Sequence, residues 1–373
     1  MNRTAALTFT ACFLALSAAA QQCPPAGASN WCSGLYQYDG TGNIKAIGAD
    51  TYLYDTLGRL TSGTADVQRT GISSRQVYTY DPFGNRTDVS RDSGSANCVG
   101  GCEMPVAVDA ATNHITSNGA VYDDAGNLQF IQTTVGNTNY PATYTYDAAG
   151  SLAHANSTDN REFIYTADDE RIATKNGVTW TWTLRGADKK VLREYMTMEV
   201  NGLPTANLQW AKDYVWRDGL LLASTAPVTP GSSTVRIQHF HLDHLGTPRV
   251  VTSLAGAVVG LHAYYAFGAE LDLTPKESTT ELMKFTGHER DSLPGGPLTL
   301  DAMHARYMMS TLGRFLSIDP VLNIKGALLD PQGWNRYAYV RDNPMTWVDI
   351  TGKYQCVGVL PSSATQLRKH TKI

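Results

Sequence analysis

Charge is scarce in these 373 residues: 17% are Asp, Glu, Lys or Arg, and the formal net charge is −4. That balance excludes the basic footprint of a nucleic-acid binder. A hydrophobic content of 42% excludes a disordered chain. Helical periodicity is nearly missing, and only the stretch from Leu300 to Met309 has apolar spacing that predicts a helix. Beyond the first twenty residues no apolar run approaches the about 20 residues needed to cross a bilayer, so no span is expected after export. Phenylalanine is outnumbered by tyrosine, 9 to 19, a bias that suits strands whose aromatic faces end in polar tips.

What the chain has instead is repetition. Tyr-x-Tyr-Asp-x-x-Gly is complete at Tyr36–Gly42, Tyr52–Gly58, Tyr78–Gly84 and Tyr144–Gly150. Degenerate copies occupy Val121–Gly126 and Phe163–Asp168. Self-similarity at roughly 15 to 45 residue spacing marks a repeat architecture. Two tyrosines two positions apart share one face of a strand. Asp then opens a four-residue turn closed by Gly, and Asp81-Pro82-Phe83-Gly84 places Pro at the favoured second position. An apolar residue (Ile44, Leu60, Leu128 or Leu152) restarts the chain as a strand. Each unit therefore reads as half a hairpin whose aromatic ladder stacks on its neighbours. Thr179–Leu184 and Leu208–Trp216 read as further strands, and Pro227–Ser233 as a loop.

Residues 1–20 carry the marks of a secretory signal: Arg3, an apolar run from Ala5 to Leu16, and Ala18-Ala19-Ala20 as the cleavage site. The expected product is secreted, whether extracellular, periplasmic or at the cell surface. Export makes disulfides plausible, with Cys23 and Cys32 as one close pair, Cys98 and Cys102 as another, and Cys356 left over. A four-cysteine zinc site is the competing reading, but no paired Cys-x-x-Cys spacing supports it. The organisation expected is a signal (1–20), a leader (21–35), a repeat region (36–234), a C-terminal domain (235–353) and a short tail (354–373).

The C-terminal region carries a dense series of motifs. They run from His241-Leu242-Asp243-His244-Leu245-Gly246-Thr247-Pro248-Arg249 through Tyr264–Gly268, Phe285–Asp291, Ala305-Arg306-Tyr307 and Gly313–Pro320 to Asn335–Pro344 and Asp349–Gly352. In these motifs and the upstream repeats, nearly all of the exported chain resembles the RHS/YD-repeat family. That group includes bacterial rearrangement-hotspot proteins, the C component of insecticidal toxin complexes and the teneurin shell. The resemblance implies a mainly β fold: a spiralling antiparallel YD-repeat sheet, here a partial shell, with a C-terminal RHS core domain plugging it. It implies a structural, encapsulating or delivery role for a polypeptide. Candidate partners are the chain's own C-terminal segment, a separately encoded toxin or immunity protein, or a cell-surface glycan or protein. No cofactor is implied.

Many family members cut themselves by an aspartyl-type reaction; the resemblance implies Arg306 and Asp319 as the residues of that role, with Asp349 of the cut motif as the candidate second carboxyl. The family's Pro-x4-Asp-Pro-x-Gly-Leu motif aligns with Pro344, Asp349 and Gly352, while Ile350 and Lys353 depart from it. A cut there would release only Tyr354–Ile373, too short for a folded toxin domain. Such chemistry needs one ionised and one protonated carboxyl group, with Arg306 tuning Asp319 and Asp349. At most this is a single-turnover activity. The alternative is a structural Arg306–Asp319 ion pair beside an ordinary turn at Asp349. A second motif, His239-x-His241-x-Asp243-His244, has the spacing of a zinc hydrolase. Asp243 also opens an Asp-x-x-Gly turn, and the surroundings lack βα alternation, so no metal is expected there. Exposed tyrosines and tryptophans on repeat faces leave a binding module for sugars or a partner as the alternative function.

Overall fold

The computed structural model describes residues 32–65, 74–92, 97–99, 101–135, 138–157, 160–275, 281–292, 299–322, 324–353 and 355–357. The signal, Cys23 and nearly all of the tail lie outside them. The fold is mainly β, built on two large antiparallel meanders. Six strands from Tyr36–Tyr38 to Arg86–Arg91 pair in chain order. A sheet of 14 strands runs from Val121–Tyr122 to Val258–Leu261, with Leu203–Pro204 as a side hairpin on Val191–Val200. The large sheet continues past residue 234, because Val235–Leu242 pairs with Leu220–Pro227. The division expected at 234/235 therefore falls between two hydrogen-bonded strands.

The complete repeats fold alike. The Asp N–H of residues 39, 55, 81 and 147 donates to the carbonyl four residues on, at 2.9, 3.0, 3.0 and 2.9 Å. The Gly N–H returns to the Asp carbonyl, and one Asp carboxylate oxygen accepts two further backbone N–H groups inside the turn. Gly42, Gly58, Gly84 and Gly150 sit at φ of +90°, +80°, +77° and +83°, where a Cβ would be strained. A register shift falls just before each of these corners, between Gln37/Tyr38, Leu53/Tyr54, Thr79/Tyr80 and Thr145/Tyr146. Such bulges sharpen the local twist, which bends a long meander around what it covers.

The bulge also separates the two aromatic roles. The first ring of the unit is buried in the core at Tyr52, Tyr78, Tyr144 and Phe163, and Tyr214 and Phe240 take the same place further on. The second donates across the sheet to the unit before it. Tyr54 reaches the Ile44 carbonyl at 2.8 Å, Tyr80 that of Leu60 at 2.6 Å, Tyr146 that of Leu128 at 3.0 Å and Tyr165 that of Leu152 at 2.8 Å. The Trp216 indole does the same to Val191 at 2.7 Å. Each rung satisfies a carbonyl that lies beyond the last registered pair with the aromatic residue's own strand. The same backbone corner recurs without Asp at Thr166, Gly186, Ser253, Tyr265 and Lys284, where the sequence signature had faded.

Both sheets turn their buried faces onto the C-terminal region. Leu128, Ile131, Tyr144, Leu152 and Phe163 of the large sheet pack with Leu300, Tyr307, Met309 and Leu316. Ile44, Tyr52, Leu60 and Tyr78 of the small sheet pack with Met303, Met308, Phe315 and Tyr339. The region between them corrects the helix expected over Leu300–Met309. Thr299–Met303 and Arg306–Met309 are two strands of a four-stranded inner sheet completed by Glu289–Ser292 and Arg314–Phe315. Every residue of the two strands is buried, so neither shows the period-two alternation that betrays a strand. Cys98 and Cys102 form a disulfide, and Cys32 is likewise oxidised.

Two neighbouring tyrosines test the rung. Tyr146→Phe strips the donor from the Leu128 carbonyl and is expected to cost about 1 kcal/mol. Tyr144 is 1% exposed and its hydroxyl has no partner among the described residues, so Tyr144→Phe is expected to be neutral or stabilising. Urea unfolding midpoints of the two variants against the parent check this ordering.

Candidate functional site

Arg306 begins the second strand of the inner hairpin, after a tight turn in which His304 takes φ +54°. Only 4% of the residue is exposed, and its guanidinium carbon lies over the Phe315 ring, 3.6 Å from the centroid. The edge of the fork is fully used. Nε donates to the Gly352 carbonyl at 2.5 Å and Nη1 to the Arg336 carbonyl at 3.1 Å. Nη2 meets Asp319 Oδ2 at 3.0 Å and Asp349 Oδ2 at 3.3 Å. The structure thus brings together the three residues singled out in the sequence and adds the backbone of Gly352.

Each partner is held by local geometry. Asp319 follows the strand Arg314–Phe315; its second oxygen accepts from Val321 N–H at 2.8 Å, and its carbonyl accepts from the Arg336 side chain at 3.1 Å. Asp349 ends the strand Trp347–Asp349, which pairs with Gln355–Val357. Residues 350–353 lead from Asp349 into the tip of that hairpin, and Thr351 N–H closes onto Asp349 Oδ1 at 3.2 Å. The tip is pressed on the turn below Arg306: Ala305 N–H donates to the Thr351 carbonyl at 3.2 Å. Gly352 is at φ +68°, and a Cβ there would collide with the Met303 carbonyl and lie 2.9 Å from Arg306 N. The two residues that depart from the family pattern have contacts of their own. The Ile350 carbonyl faces His288 Nε2 at 3.3 Å, and Lys353 Nζ reaches Asp169 on a large-sheet corner at 3.3 Å. Pro344 is buried upstream and is not among the groups Arg306 holds.

Burial raises the Asp319 carboxyl above its ordinary pKa, against the opposing pull of Arg306, the Val321 N–H and Arg336. Burial also lowers Arg306, opposed by Asp319 and Asp349. A cation shared by two carboxylates leaves one of them the easier to protonate, and that is the division of labour acid–base hydrolysis requires.

The histidine motif is dispersed. His239 and His241 lie on one strand, where His241 Nε2 meets Thr252 Oγ1 at 3.1 Å. Asp243 is spent on its own turn and on Arg249, accepting from Leu245 and Thr247 N–H at 2.9 and 3.0 Å. His244 is buried between the Met345 carbonyl at 2.8 Å and the Tyr36 hydroxyl at 3.2 Å. Among the described residues no group of three His, Cys, Asp or Glu side chains is placed to hold a metal ion. What the sequence reading missed was Arg336, Phe315 and the tip of the hairpin. Arg336 lies 17 residues from Asp319, and no local spacing could have linked the two.

Two outcomes follow. A carboxyl whose folded pKa lies above its unfolded one, about 3.9 for Asp, contributes stability that is present below that value and lost as pH rises through the folded value. Asp319→Asn should therefore flatten that part of the parent's stability loss above about pH 4, read from thermal unfolding between pH 3 and 8. Gly352→Ala should cost at least about 1–2 kcal/mol from the left-handed backbone alone. It should also open the tip to limited proteolysis, with the two meanders left protected.

No family model matches the chain. It is 27% identical over 361 residues to the double-stranded DNA deaminase toxin A of Burkholderia cenocepacia, a match covering 89% of this chain and 23% of that protein. It is 27% identical over 288 residues to the tRNA3(Ser)-specific nuclease WapA of Bacillus spizizenii, covering 74% and 11%. It is 22% identical over 384 residues to the toxin subunit YenC1 of Yersinia entomophaga, covering 85% and 36%. The chain therefore spans about a third or less of these relatives' lengths. Among solved structures, the TcdB2-TccC3 complex without its hypervariable C-terminal region superimposes with a TM-score of 0.63 at 18% identity, over 85% of this chain and 17% of that one. The complex with Cdc42 gives 0.61 at 19%, with the same coverage. The sequence relatives are toxin-related proteins, and the solved complexes share this antiparallel β fold. No helix among the described residues is long and apolar enough to cross a membrane.

Proposed function

We propose that this chain is a shell segment of an exported, toxin-associated protein of the RHS/YD-repeat kind, and that its core cuts its own backbone beside Gly352. In this reading the strands between residues 36 and 261 form the wall, and the inner sheet from Glu289–Ser292 to Arg314–Phe315, with the chain on to 353, fills it. The role is to enclose or deliver a polypeptide, either the segment that follows the core or a separately encoded partner. The observation that carries the proposal is that one guanidinium holds Asp319, Asp349 and the Gly352 carbonyl at once.

The chemistry follows from those contacts. Asp349, ionised, takes a proton from a water, whose oxygen attacks the Gly352 carbonyl carbon. Arg306 Nε–H already donates to that carbonyl oxygen and stabilises the charge that develops on it. Asp319, protonated, gives its proton to the Lys353 nitrogen as the C–N bond breaks, leaving a carboxylic acid on Gly352 and a free amine on Lys353. In this reading the carbonyl that Arg306 holds is the one attacked, so the proposed cut is Gly352–Lys353, one residue before the position implied by the family motif.

Intact mass of residues 21–373 after incubation at pH 5 and pH 7 tests this. The expected result is loss of the 21 residues from Lys353 to Ile373. The cut should vanish in Asp319→Asn and Asp349→Asn variants that still unfold cooperatively. A parent chain that keeps its full mass at both pH values would reduce the Arg306 cluster to a structural clamp.

A further inference from the structure

The face of the large sheet turned away from the core carries an aromatic row that self-cutting does not use. Cross-strand register sets Ile164 opposite Ala173, Ala173 opposite Trp182, Trp182 opposite Tyr195 and Tyr195 opposite Trp210. One rung thus crosses five neighbouring strands, and three successive members are aromatic. Its direction is fixed by its neighbours along the strands. Phe163, beside Ile164, belongs to the core, and Glu194, beside Tyr195, is buried on the inner face opposite Lys212. Side chains alternate between faces, so the rung points outward. Ile164 is 37% exposed, Trp182, Tyr195 and Trp210 are half-buried, and the small Ala173 between them is fully covered.

The rings are fixed in place before any ligand arrives. Trp182 stacks on Trp180 with centroids 5.8 Å apart and planes 24° from parallel. Trp210 donates its indole N–H to Asp213 at 2.9 Å, and Arg193 bridges Asp213 and the Tyr195 hydroxyl at 2.6 and 3.3 Å. The rim charges close on one another: Arg193 on Asp213, and Lys175 on Glu162 and Glu199. No single-sign field is left over to select a charged partner.

A rigid aromatic row with a self-neutralised polar rim complements a neutral ligand that has apolar C–H faces and hydroxyl edges. Neighbouring strands lie about 4.8 Å apart, close to the length of one pyranose ring, so successive aromatic side chains fall one sugar apart. We propose that Trp182, Tyr195 and Trp210 form a binding platform for a neutral oligosaccharide laid across the strands. Arg193 and Asp213 supply hydrogen bonds to its hydroxyls. The site lies on the opposite face from Arg306 and is independent of whether the chain cuts itself.

The experiment titrates the full exported chain with cellohexaose, chitohexaose, laminarihexaose and maltohexaose, following tryptophan fluorescence and, in parallel, isothermal heats. At least one should bind saturably, and Trp182→Ala and Trp210→Ala should each weaken it about tenfold or more. Tyr144→Phe, on the inner face, should leave it unchanged. Variants are compared at equal thermal stability, which surface truncations of this kind are expected to retain. The platform is overturned if none of the four sugars binds, or if binding survives both tryptophan changes. It is equally overturned if the parent is a dimer that Trp182→Ala or Trp210→Ala converts to a monomer, since a second copy would then cover the row.

Discussion

A carboxylate that closes its own turn is the constraint on which the wall depends. Asp39, Asp55, Asp81 and Asp147 each gather the backbone N–H groups of the corner that follows them, with Gly supplying the left-handed step. The corner comes with a bulge that sets one extra residue into the strand after it. The second aromatic of the unit reaches into the unit before, to a carbonyl beyond the end of the ladder between the two strands. Corner, bulge and rung therefore form a single repeating device. They let a meander of many strands keep twisting without leaving carbonyls unpaired.

The inner sheet is seated on the two meanders by directional charge as well as by apolar packing. Arg171 on the large sheet reaches Asp291 and Glu289 of the inner sheet, and Lys212 meets Glu281 at 3.0 Å. All of these are buried, where losing one partner leaves an uncompensated charge at about 3–5 kcal/mol. Arg306 belongs to the same class of contact but differs in what it holds. Its partners include a backbone carbonyl at the tip of a hairpin, with two carboxylates beside it. That difference is what turns a clamp into a candidate for chemistry.

Much of the wall was legible because its device is local. Tyr-x-Tyr-Asp-x-x-Gly spans seven residues, and the structure places a corner at every copy that was read. The corners at Gly186, Ser253, Tyr265 and Lys284 escaped notice because backbone hydrogen bonds, with no Asp, define them. The inner hairpin was misread as helical for the opposite reason: burial on both faces erased the alternation. At the site, Arg306, Asp319 and Asp349 could be named from motifs tens of residues apart. Arg336, Phe315 and the docking of Gly352 could not, since only the folded chain brings residue 352 onto residues 303–306.

The central claim is that wall and core form one cooperative body, each burying the face the other would expose. Native-state hydrogen exchange tests it most directly, by comparing opening free energies for the wall strands Thr138–Tyr146 and Asn160–Tyr165 with those for the inner strands Thr299–Met303 and Arg306–Met309. The account predicts that the two sets open together, at the free energy of global unfolding, and shift equally with denaturant. Inner strands that exchange through a cheaper local opening while the wall stays protected would contradict it.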